Sequence, residues 1–179
     1  MKEWEVLSDN EEEYIWKFIL ENYKFNPKYN SKDKSAPFLI LPEPYAVYEM
    51  HLFTSYLKDT SINIDEEYYN NFNELITNIF IKCMGKDEYI FALDWQHTCF
   101  KYNPNSSEKM SKVLELDGFN IYFPEFYPDG DYYIFISNNF SWGYFTHPWT
   151  QELWVFGNEL INEINNIPQV YLSLKIKID

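Results

Sequence analysis

Arginine is missing from this chain: its fourteen positive side chains are all lysine, set against 28 acidic ones, for a formal net charge of −14. The bidentate guanidinium fork that recognises phosphates is therefore absent, and the charge repels a polyanion. Both facts argue against DNA or RNA as a direct ligand. Cysteine is nearly missing too, with Cys83 and Cys99 alone and no CxxC pair. A Cys-type zinc site is excluded, and a reduced, cytoplasmic setting is expected. No run approaches the roughly 18 apolar residues of a membrane span. The opening MKEWEVLSDNEEE has no apolar core of a secretory signal, so none is expected. GxSxG, P-loop, HExxH and GxGxxG patterns do not occur.

What is abundant is aromatic. Phe, Tyr and Trp make up 21% of the 179 residues and the apolar fraction is 46%, which predicts a folded chain with an aromatic core. The length fits a single domain burying about two-thirds of its unfolded surface. Sixteen tyrosines cannot all find buried hydroxyl partners, so some are expected to face solvent or another molecule. An acidic, tyrosine-rich surface suits a basic protein partner drawn in over a distance.

Local signals place the elements. Ser8-Asp9-Asn10 before three glutamates is a helix start, and Tyr14, Ile15, Phe18 and Ile19 recur at helical spacing. Residues 26–35 read as an exposed loop, 38–41 as an edge strand at best between two prolines, and 45–50 as a strand. Asp65 caps a second helix with Tyr68, Phe72, Leu75, Ile76, Ile79, Phe80 and Cys83 on one face, and Gly85 closes it. Strands are predicted at 89–95, 99–102, 120–123, 132–137, 142–146 and 153–156. A loop is predicted at 103–111 and a third helix at 158–164. The tail alternates from Val170 to Ile178, as a half-buried strand does. The sum is one α+β domain over 1–179, mainly antiparallel sheet with two to three helices packed on one face.

Three clusters carry chemistry. Asp94-Trp95-Gln96-His97 ends a strand. Asp94 or His97 is either a base or ligand anchor, or a turn cap and a structural histidine. Pro128-Asp129-Gly130-Asp131 resembles a calcium loop in part, but the twelfth position from Asp129 is Phe140, where the EF-hand pattern needs Glu. Turn formation accounts for these residues, and paired carboxylates remain an alternative. His147-Pro148-Trp149 holds a histidine extended beside a flat apolar surface. A metal site of His97, His147 and one of the two aspartates is conceivable but nothing fixes its spacing, and no metal or cofactor is expected. Cys99 paired with His97 is a conceivable nucleophile, against the commoner buried thiol.

ALDWQH (92–97), FKYNP (100–104), PDGDYYIF (128–135), HPW (147–149) and VFG (155–157) resemble the uncharacterised bacterial family DUF2716, most strongly over 88–160. The family pattern has Gly before HPW, where this chain has Thr146. The resemblance implies no reaction. The small, acidic, single-domain build is similar to that of immunity proteins that neutralise bacterial toxins. The leading expectation is therefore a non-enzymatic inhibitor in bacterial or phage conflict. Its contact residues are Asp129, Asp131, Tyr132, Trp142, Tyr144, His147 and Trp149. The alternative is a small-molecule binder, or a minor enzyme. Its pocket would be formed by Asp94, His97, Asp131 and His147 and lined by Trp95 and Trp149.

Overall fold

The computed structural model describes residues 2–27, 38–51, 66–85 and 89–178. Most of the expected 26–35 loop and the Asp65 cap lie outside them. In chain order the elements are β1 (Trp4–Val6), α1 (Asp9–Asn22), β2 (Tyr45–Met50), α2 (Glu66–Met84), β3 (Ile90–Asp94) and β4 (Phe100–Tyr102). There follow β5 (Val113–Leu116), β6 (Phe119–Tyr122), β7 (Tyr133–Ser137), β8 (Gly143–His147), β9 (Glu152–Phe156), α3 (Asn158–Ile164) and β10 (Leu172–Ile178). The main sheet runs β1-β4-β3-β7-β8-β9-β2-β10 with every neighbouring pair antiparallel, and β5 and β6 form a separate ribbon. The chain is the α+β domain that the sequence predicts.

Alternation along the central strands sorts their side chains between two cores. Ala92, Phe135, Tyr144 and Val155 meet Phe72, Ile76 and Phe80 of α2 and Leu160 and Ile161 of α3. On the other face, Leu93, Ile134, Ile136, Phe145 and Phe156 meet Ile15 and Ile19 of α1. This corrects the one-face placement: α1 lies opposite α2 and α3. Alternation would have marked a solvent-facing side; strands buried on both faces read instead as near-continuous apolar runs, as IFAL (90–93) and YIFI (133–136) do.

Each helix starts and stops for a local reason. The Glu11 carboxylate accepts hydrogen bonds from the Ser8 N–H (3.2 Å) and hydroxyl (2.7 Å), closing the N-terminus of α1. Gly85, at φ +58°, takes the left-handed turn that ends α2. The Trp142 indole donates to the Cys83 carbonyl (3.2 Å) and ties β8 to the end of that helix.

Residues 38–41 form no strand. They run beside the end of α1, with the Ile40 N–H on the Tyr23 carbonyl (2.7 Å) and the Asn26 N–H on the Phe38 carbonyl (2.9 Å). The tail is a strand, but its predicted single apolar face is broken. Leu174 sits opposite Tyr48 and Ile176 opposite Val47, so a bulge between them sends these two side chains to opposite faces. Leu174 and Ile176 are both exposed.

Candidate functional site

The pairing of β3 with β7 builds the site. Asp94 closes β3 opposite Tyr133, so the acidic turn that precedes β7 arrives beside it. Asp94 Oδ1 accepts from the Gln96 N–H (3.0 Å), a local turn that swings the chain back over the strand end. His97 Nδ1 thereby comes to 3.0 Å from Asp94 Oδ1 and 3.4 Å from Asp131 Oδ2. The two carboxylate side chains are 8% and 13% exposed, while the imidazole is 66% exposed. Ligand atoms of Asp94, His97 and Asp131 all lie within 4.8 Å of one another.

Electrostatics follow from that packing. The hydrogen bond to Asp94 raises the His97 pKa above its ordinary value, against the opposing effect of burial and with the help of the neighbouring carboxylates. Burial, and then the neighbouring Asp94, pushes the Asp131 carboxyl upward, although the hydrogen bond from its own Tyr132 N–H works against this. Beside this triad the Tyr133 hydroxyl donates to Asp129 Oδ1 at 2.5 Å.

These groups line one side of a cleft of about 320 Å³: Asp94, His97, Thr98, Asp129 and Tyr133. The other side is β6, through Asn120, Ile121 and Tyr122. Of the four residues expected to converge, Asp94, His97, Asp131 and His147, the first three lie together. His147 does not join them. It shares the α1 face with Phe145, its ring 4.3 Å from Phe38 and 5.3 Å from Tyr132, with Nδ1 accepting from the Thr150 N–H (3.3 Å). Burial pushes its pKa down to about 4, so it is neutral at pH 7. The two-histidine metal site and the pocket shared with His147 are therefore not formed. Trp95 packs edge-on to Trp16 and Phe25 on that same face, away from the cleft.

The expected contact surface needs a similar correction. Tyr132, Trp142, Tyr144 and His147 are all buried, with the Tyr144 hydroxyl donating to the Phe126 carbonyl. A buried ring cannot meet a partner. Trp149 remains available at 74% exposed. Cys99 is buried and its thiol is pushed up to about 12 by burial, which fits the inert reading and not the nucleophile. Thr146, at the departure from the family pattern, is buried in β8 and its hydroxyl oxygen accepts from the Tyr133 N–H (3.0 Å).

One surface was missed. The β5–β6 hairpin stands off the main sheet with both strands largely exposed. Its register puts Leu114, Leu116, Phe119 and Ile121 on one face, and Phe119 is 75% exposed. The signal was present: Asp117-Gly118 between VLEL and FNIY is a type I′ hairpin turn, and both residues take positive φ (51° and 83°).

A small α+β domain with this paired-motif cleft is matched by the model of the family described as "Protein of unknown function (DUF2716)" over residues 6–161, and the chain belongs to that family. It is similar to "Uncharacterized protein YxiI" of Bacillus subtilis (strain 168), 28% identical over 175 residues that take in 98% of this chain and 100% of that one. No solved structure matches it significantly. Among the described residues no helix is long and apolar enough to cross a membrane.

Proposed function

We propose that the protein is a non-enzymatic inhibitor, an immunity protein in bacterial or phage conflict that binds and neutralises a basic toxin or effector. The observation that carries the reading is the β5–β6 hairpin. It exposes Leu114, Leu116 and Phe119 on one face while β6 borders the cleft lined by Asp94 and Asp129. A two-stranded ribbon exposing this much apolar surface is marginal by itself and gains from a covering partner. The charge of −14 selects a basic one and speeds its arrival. Trp149 is a second exposed aromatic for such a contact.

The test is capture from lysate of the native host, followed by intact-complex mass and an activity assay of the captured protein. A one-to-one complex with a basic protein whose activity is blocked, and its loss in Phe119→Ser, supports the reading. Capture unaffected by Phe119→Ser and by charge reversal of Asp129 overturns the role given to this surface.

A second reading, sequestration of a small molecule, is favoured by the size of the cleft, which falls near the lower end of the roughly 300–1,000 Å³ range of ligand pockets. A small molecule retained on the purified chain, detected by native mass spectrometry, would support it.

A further inference from the structure

We propose that Asp94, His97 and Asp131 bind one divalent first-row transition ion, of the Mn²⁺ or Zn²⁺ class, at the head of the cleft. The proposal is independent of the partner reading. Its basis is the spacing of the donor atoms. A cation about 2.1 Å from each ligand places neighbouring ligand atoms about 3.0 Å apart in an octahedral shell and about 3.4 Å apart in a tetrahedral one. His97 Nδ1 stands 3.0 Å from the Asp94 oxygen and 3.4 Å from the Asp131 oxygen.

Charge balance points the same way. Two mostly buried carboxylates within 4.8 Å of each other are costly unless a cation or a shared proton offsets them. Among the described residues, the ion pairs of Asp94 and Asp131 are both with His97, whose ring stands largely in solvent. A third carboxylate, Asp129, lines the same cleft. A divalent ion supplies more positive charge than the imidazolium and leaves the ring neutral as a ligand.

The donor set selects the ion. One imidazole nitrogen with two carboxylate oxygens suits Mn²⁺, Fe²⁺ or Zn²⁺, whereas Ca²⁺ prefers a shell of six to eight oxygens. The frame is also set in advance. Asp94 is fixed by the Gln96 N–H and Asp131 by the Tyr132 N–H (2.8 Å), so the ligands need little reordering.

The test is calorimetric titration of the full chain, stripped of metal, with Mn²⁺ and with Zn²⁺, and with Ca²⁺ for comparison. Variants are His97→Gln, Asp131→Asn and, as a control histidine outside the site, His51→Gln. Circular dichroism checks that each variant is folded, and His97 is exposed enough for its substitution to be tolerated. The expected result is one equivalent of Mn²⁺ or Zn²⁺, weakened at least about tenfold in His97→Gln and Asp131→Asn and unchanged in His51→Gln. No binding, binding indifferent to the two site variants, or Ca²⁺ binding as tight as the transition ions overturns the proposal.

Discussion

Tyr133 holds Asp129: the hydroxyl of the first residue of β7 donates to the carboxylate four residues before it, at 2.5 Å. That bond folds the Pro128–Gly130 turn onto the strand it precedes. Asp131 then has little freedom, and its carboxylate is delivered to His97.

Tyr133→Phe is expected to destabilise the fold by about 1–2 kcal/mol, because a hydrogen bond to a charged group is lost while the ring is kept. Urea denaturation checks this. A midpoint equal to the parent's would show that the turn is held by other contacts.

Phe119→Ser should change stability by no more than about 0.5 kcal/mol, since the side chain is largely in solvent. It should also lower fluorescence of the dye ANS bound to the native chain, which reports exposed apolar surface. Unchanged dye binding would mean that the hairpin face is covered in solution.

His147 sets a pH limit. Unfolded histidine titrates near 6.5, while in the fold this ring titrates at about 4, so between those values the unfolded chain holds the extra proton. Stability from keeping the ring neutral is complete above about pH 6.5 and falls toward pH 4, by on the order of 3 kcal/mol. Thermal melts across that range should show the decline, and His147→Gln should flatten it. A variant retaining the full slope would assign the effect to other groups.

Glu11 acts in a lower window. Its hydrogen bonds to Lys101 and then Ser8 bring its pKa down to about 2 from 4.5. The contribution is present above about pH 4.5 and is lost as pH falls through about 2. Because the side chain is partly in solvent, Glu11→Gln should cost about 1 kcal/mol or less at pH 7, less still in high salt. Parent and variant should converge near pH 2, and a constant gap would exclude ionisation as the cause.

The parts of the fold that could be read from sequence are those set within a few residues. The Ser8 cap, the β2 strand and α3 (158–164) fall where their capping, alternation and periodicity put them. The convergence of Asp94 and His97 was half legible, because the turn between them is local. Asp131 reaches them through the β3–β7 register, which no local signal encodes. Burial was the least legible property. Tyr132, Trp142, Tyr144 and His147 resemble exposed recognition residues by type, and only the helix layers on both faces of the sheet make them interior. The hairpin was half legible: 120–123 reads as a strand, whereas its partner VLEL (113–116) follows a long polar stretch and is only four residues long.

The kink in β10 decides how this molecule keeps company with itself. Lys175 sits at the irregularity, its ammonium 2.5 Å from the Glu152 carboxylate two strands inward. The outermost strand is thus bent and carries a tethered cation where a flat row of open amides would otherwise invite another chain to add on. A protein this rich in aromatic side chains carries a standing hazard of stacking edge to edge into fibrils, and here the outer rim is shaped to refuse the first recruit.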